Sequence, residues 1–297
     1  MEASTAERPP PGEPRRIAYV YILPAFFFYA AFVLLPTIQS GWLSLFDWNG
    51  LTAPTWIGLG NYLTIMTDPQ LRIAFVHALV LILFYSLLPI SLGLLAAAMM
   101  SRAKFRGLTL FRTVLFLPQV IATTVIAVVW RRIYAPQGPL NGVLNAVGLD
   151  GVTVNWLGDF NWALPSLGVV GTWTLFGLCL VLFIAGIQNI SPDLYDSAKV
   201  DGAGAYREFL AITLPGLRGQ LAVAFTLTTI TALRTFDLIF LTTRGGPGTS
   251  TTVPALELYQ RAFLTSQVGL AAAIGVALTV IVFSVAYLII RFVEDNE

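Results

Sequence analysis

Hydrophobic and polar positions alternate along this chain on the scale of whole helices. Long uncharged stretches cover 17–46, 73–101, 113–130, 160–192 and 262–290, and another over 219–243 is interrupted only by Arg234 and Asp237. A helix crosses roughly 30 Å of hydrocarbon with about 20 apolar residues, so each stretch is long enough or nearly so. The shortest, 113–130, is flanked by Arg112 and Arg131, whose long side chains reach outward to the interface. None shows the two-residue alternation of a barrel strand. The pattern predicts an all-α polytopic membrane protein with one domain over 17–292. Its six spans are expected at about 17–46, 73–101, 113–130, 160–190, 219–243 and 264–290.

The polar segments complete the outline. Residues 1–16, rich in Pro and Glu, read as a disordered tail, and 293–297 as a short second tail. Segment 47–72 carries Trp48, Trp56 and Tyr62 and reads as an ordered outer loop with aromatic anchors at the interface. Segment 135–162 is a second outer loop with a short helix expected near 140–147. Gly245-Gly246-Pro247-Gly248 reads as flexible outer-loop material, and His77 as a packed or interfacial side chain near the outer end of the second span.

The polar stretch 191–218 has legible helix signals. Ser191 can cap, Pro192 suits the first helical position, and Asp193 favours the positive end of the helix dipole. Gly202 permits a left-handed turn that ends this first helix. A second helix, from about Ala205 to Leu214, is expected to stop before Pro215. Tyr206 and Phe209 share one of its faces.

Charge sets the orientation. Eleven of the 17 Lys and Arg residues fall in segments on the side of the N-terminus and five on the other, with Arg234 inside a span. Both termini are therefore expected in the cytoplasm. Composition agrees with a membrane chain: 56% hydrophobic, 11% charged, net charge +1, and a mean hydropathy of +0.76. The single cysteine, Cys179, excludes an internal disulfide. Neither lysine, Lys104 or Lys199, sits in G-x-x-x-x-G-K-[ST], so this chain has no phosphate-binding loop for hydrolysing ATP. H-E-x-x-H, G-x-S-x-G and C-x-x-C are also absent. No catalytic or metal-binding residue, no cofactor on this chain and no nucleic-acid partner are expected.

The stretch Tyr195 to Pro215, YDSAKVDGAGAYREFLAITLP, resembles the "EAA" loop of ATP-binding-cassette (ABC) importer permeases. Asp196 stands at the glutamate position and Ser197 and Ala198 at the two alanines. Asp201, Gly202 and Ala203 match Asp-Gly-Ala, and Phe209, Leu214 and Pro215 match the downstream residues. Further motifs are similar to the carbohydrate-uptake branch, of maltose and glycerol-phosphate type. They are Tyr21-Ile-Leu-Pro24, Leu35-Pro36, Ser44-Leu-Phe46, Trp56-Ile-Gly-Leu-Gly-Asn-Tyr62, Thr235-Phe-Asp237 and Leu241-Thr-Thr-Arg-Gly-Gly-Pro247. The resemblance implies the six-helix core of a type I importer in a bacterial inner membrane. It also implies a homologous second permease, two ATPase subunits that hold ATP and Mg, an extracytoplasmic solute-binding protein and a sugar-class substrate. Tyr195 and the positions named above would form the ATPase-coupling loop.

Arg234 and Asp237 are the candidate substrate-path residues. Arg234 lies nine residues inward from Thr243, roughly 14 Å at 1.5 Å per residue. A charge at that depth faces a protein interior or a wet cavity. On a continuous helix the i, i+3 spacing lets the pair meet, either to neutralise each other and lock packing or to line the path. The competing function is an ion-coupled secondary transporter using this pair.

Overall fold

A computed structural model describes residues 15–102 and 107–294 of the chain. The expected tails therefore lie largely outside the described residues, as do Lys104 and Arg106. Arg15 and Arg16 already belong to the first helix. Among the described residues, five helices are long and apolar enough to span a membrane: Tyr21–Leu43, Pro69–Ser101, Ala163–Gln188, Arg218–Thr242 and Val268–Ile289. One further pair, Thr109–Val120 and Thr123–Ile133, is long and apolar enough only when taken together and is bent by 98°, which gives six spans if the pair counts as one.

That bend corrects the straight third span expected over 113–130. Pro118 removes one bond of the last turn, and the ladder ends where Ile121 and Ala122 take extended ψ values of 134° and 135°. The helix from Leu108 stops at Val120, and a new one starts at Thr123 in a different direction.

Three other prolines are absorbed without a break. Five-residue π turns at Ala30–Leu34, Leu83–Leu87 and Phe209–Thr213 are each followed at once by Leu-Pro: Leu35-Pro36, Leu88-Pro89 and Leu214-Pro215. In each, the leucine N–H reaches five residues back, to the carbonyls of Ala30, Leu83 and Phe209. The wider turn gives the proline ring room and carries the bonding past its missing donor. For this reason the second helix of segment 191–218 does not stop at Leu214. It runs from Ala205 through the π turn to Gly216.

The fourth span, Ala163–Gln188, is the axis of the bundle. The second span closes on it at Gly93, where a Cβ would lie 2.8 Å from Cys179 Cβ. Helix Leu108–Val120 closes on it at Gly177, where a Cβ would collide with the Leu115 carbonyl. Small residues let helices approach closely in the membrane, where packing replaces the hydrophobic drive. Outer-facing elements are short: a two-stranded antiparallel ribbon pairing Phe46 with Trp56 and Asp47 with Thr55, and helices Gly60–Thr67, Pro139–Ala146 and Pro254–Tyr259. The expected helix near 140–147 is thus present.

Candidate functional site

Three backbone irregularities meet at one cavity of about 580 Å³. Tyr85 enters it from the π turn of the second span and Ile121 from the bend of the third. Arg234, Thr235 and Phe236 enter from a break in the fifth, between helices Arg218–Leu233 and Asp237–Thr242. Irregular backbone at membrane depth is tolerated where it is buried in protein or lines a water-filled space. The sequence does both here. Thr172 Oγ1 donates to the Phe84 carbonyl at 2.6 Å, satisfying an acceptor of the π turn. Gly168 and Gly171 leave space for the rings of Phe84 and Tyr85, which a Cβ at either position would strike. Ser86 bonds Thr228 at 2.7 Å and Thr229 at 3.2 Å, joining the second span to the fifth.

Arg234 and Asp237 both line this cavity, but not as one helix face. Arg234 is the C-terminal cap of the first segment and Asp237 the first residue of the next. They form no ion pair with each other, and both side chains are exposed. The interrupted helix supplies the reason. Its carboxyl end favours a cation and the following amino end favours an anion, so each charge sits at a complementary helix terminus. The polar lining continues with Gln119, Thr174 and Thr231, and Gln119 Oε1 accepts no hydrogen bond from the described residues.

The loop outside the fifth span is tied rather than flexible, which corrects the expectation for Gly245–Gly248. Thr243 and Thr251 hydroxyls lie 2.7 Å apart, and Thr251 Oγ1 donates to the Gly246 carbonyl at 2.8 Å. The His77 ring meets the Thr252 carbonyl at 2.8 Å, so this histidine is a packed side chain that holds the loop. Gly245, with φ +94°, takes the left-handed conformation the turn requires.

Segment 191–218 forms two helices at a sharp joint. Ser191 Oγ accepts from the Asp193 N–H at 3.3 Å and caps Pro192–Val200, as its sequence predicts. Tyr195, Asp196, Ser197 and Ala198 lie on this helix, where Asp196 pairs with Lys199 at 2.8 Å in an exposed position. Asp201 caps its end, Gly202 has φ +72°, and the Ala203 N–H closes back on the Ala198 carbonyl at 2.8 Å. Phe209 and Leu214 lie half-buried in and after the π turn, while Pro215 is exposed. Among its exposed charged residues the segment also presents three large apolar side chains to solvent. Val200 is 89% exposed, Tyr206 78% and Leu194 53%, a pattern suited to docking on another protein.

Residues 89–295 match the family described as "binding-protein-dependent transport system inner membrane component". The chain belongs to this family. It is 36% identical over 288 residues to a probable ABC transporter permease protein, YurN, of Bacillus subtilis (strain 168), across 95% of this chain and 97% of that one. It is 32% identical to the diacetylchitobiose uptake system permease protein NgcF of Streptomyces coelicolor, across 99% and 92%. Among solved structures, a bacterial ABC transporter involved in alginate import has the same fold, with a TM-score of 0.81 at 24% identity over 94% and 96% of the two chains.

As a member of this family the protein is a multi-pass permease subunit of a binding-protein-dependent, ATP-driven importer, a transport component rather than an enzyme. Within the permease, sequence reasoning reached the charged members of the cavity and not the uncharged ones. Tyr85, Gln119, Thr174 and Thr231 sit in ordinary apolar runs. Their one signal is proximity to a helix irregularity, and Pro89 and Pro118 are the residues that mark two of these.

Proposed function

We propose that this permease forms half of the translocation pathway for a sugar-class solute in a bacterial inner membrane. Its partners are a homologous second permease and an extracytoplasmic binding protein that delivers substrate. Two ATPase subunits, which hold the ATP and Mg, drive it through the loop 191–218. The observation that carries this reading is the cavity at the three helix irregularities, where a guanidinium, a carboxylate, an amide and several hydroxyls offer both donors and acceptors. Disaccharides, oligosaccharides and glycerol phosphates are the substrate classes in view. One positive and one negative lining group balance, which favours a neutral polyhydroxyl solute over a phosphate ester. The uptake of diacetylchitobiose named for the Streptomyces relative supports the same class.

Purification through a tag on this chain is expected to recover three kinds of subunit, and uptake in proteoliposomes to require ATP. Efficient uptake by this chain alone under an ion gradient would overturn the reading and restore the ion-coupled alternative.

Gly202 tests the loop. A Cβ there meets nothing within 4 Å, so the cost of Gly202→Val is confined to the backbone, of order 1–2 kcal/mol for a left-handed residue with a side chain. The variant is expected to assemble and reach the membrane yet lose substrate stimulation of the ATPase. Wild-type stimulation in this variant would remove the hinge role.

A further inference from the structure

We propose that the hydroxyls of Tyr195 and Thr213 form a brace across the joint at Gly202, setting the angle between the two helices and thereby how far ATPase movement reaches the cavity. The proposal rests on the reading of 191–218 as the coupling loop.

The joint is held by backbone bonds, from the Gly202 N–H to the Lys199 carbonyl at 3.0 Å and from the Ala203 N–H to the Ala198 carbonyl at 2.8 Å, and its glycines have no side-chain packing around them. Cβ atoms built at Gly202 and Gly204 both meet open space. Packing against the membrane spans is also loose on one side. A groove of about 790 Å³ lies between the inner end of the second span, at Leu95 and Met99, and the loop residues Tyr195, Lys199 and Tyr206. Tyr195 Oη crosses to Thr213 Oγ1 at 3.0 Å. Thr213 is buried and Tyr195 half-buried, and both line this groove, so the bond is partly shielded.

The two ends of the brace differ in what holds them. Beyond Thr213 the chain is anchored, since Leu217 is fully buried in a cluster with Cys179, Leu180 and Phe183 of the fourth span. Leu217 also occupies the space that a side chain on Gly186 would need. Tyr195 lies on the helix whose outer surface presents Leu194 and Val200. The hydroxyl pair thus connects a docking helix to a fixed one. Tyr195 is in this sense a positioning residue.

The test uses the assembled transporter in proteoliposomes, with Thr231→Cys in the cavity and Cys179→Ala as background. A membrane-impermeant maleimide reports the change in labelling rate between nucleotide-free and ATP-vanadate states, alongside ATPase activity. Tyr195→Phe and Thr213→Val are each expected to reduce that nucleotide-dependent change by about two- to tenfold, the range for one hydrogen bond. The double variant should lose no more than either single, because both remove the same bond. Thr213→Ser, which retains the hydroxyl, should preserve the change. Unaltered labelling in both single variants, or additive losses in the double, would overturn the brace. Gly202→Val in the same background separates the two readings. If it abolishes the change while the hydroxyl variants do not, only the brace falls; if it too has no effect, the coupling loop falls with it.

Discussion

Replacing Arg261 with methionine is expected to cost the folded permease about 3–5 kcal/mol, the range for stripping one partner from a buried ion pair. The guanidinium binds three elements at once. Nη2 reaches Asp68 Oδ2 at 3.0 Å, Nε reaches Glu257 Oε2 at 3.3 Å, and Nη1 reaches Gln267 Oε1 at 2.9 Å. Glu257 is fully buried, and its other oxygen accepts from Gln70 Nε2 at 2.7 Å. Without Arg261, one carboxylate oxygen of Glu257 loses its charged donor in a place water does not reach. Methionine keeps most of the apolar bulk, so the loss reports charge and hydrogen bonding rather than a cavity. Asp68→Asn provides the control, because Asp68 is about a quarter exposed and asparagine can still cap the second span at Gln70. It is expected to cost about 1 kcal/mol. Thermal and denaturant unfolding of the purified transporter checks both, and a change within 0.5 kcal/mol for Arg261→Met would contradict the assignment.

This clamp marks the boundary of what the sequence makes legible. Arg261 and Asp68 are 193 positions apart, and no local pattern joins them. The caps of 191–218 are the opposite case. Ser191, Pro192, Asp193 and Gly202 act on their own neighbours, so their roles read directly from residue order. Spans lie between these extremes. An uncharged run fixes where hydrocarbon can be crossed, because burying charge is costly, but carries no information on backbone continuity. The runs therefore coincide with five long helices and one bent pair, yet miss the 98° bend after Val120 and the break at Arg234. The π turns escape for a related reason: by itself a proline such as Pro215 predicts a helix stop, whereas a turn widened by one residue carries the helix through.

The Arg234–Asp237 pair is where local spacing misleads most and where the functional effect should be largest. On an unbroken helix the two would neutralise each other, and exchanging them would restore a lost lock. In the structure they stand on opposite sides of a break, unpaired with each other, facing one cavity. Each is also matched to the helix end it occupies, so exchange places the cation at an amino end and the anion at a carboxyl end, unfavourable at both. Arg234→Ala and Asp237→Ala are each expected to lower uptake about ten- to a hundredfold, the equivalent of one hydrogen bond to a charged group at 1.5–3 kcal/mol. Assembly with the ATPase should persist, because neither side chain forms an ion pair among the described residues. Arg234→Asp combined with Asp237→Arg should remain as impaired as the single variants or more so. Uptake kinetics in proteoliposomes, beside subunit recovery for each variant, decide the matter: normal uptake in the exchanged form would show that the pair serves packing, and a loss of assembly in the alanine variants would show the same.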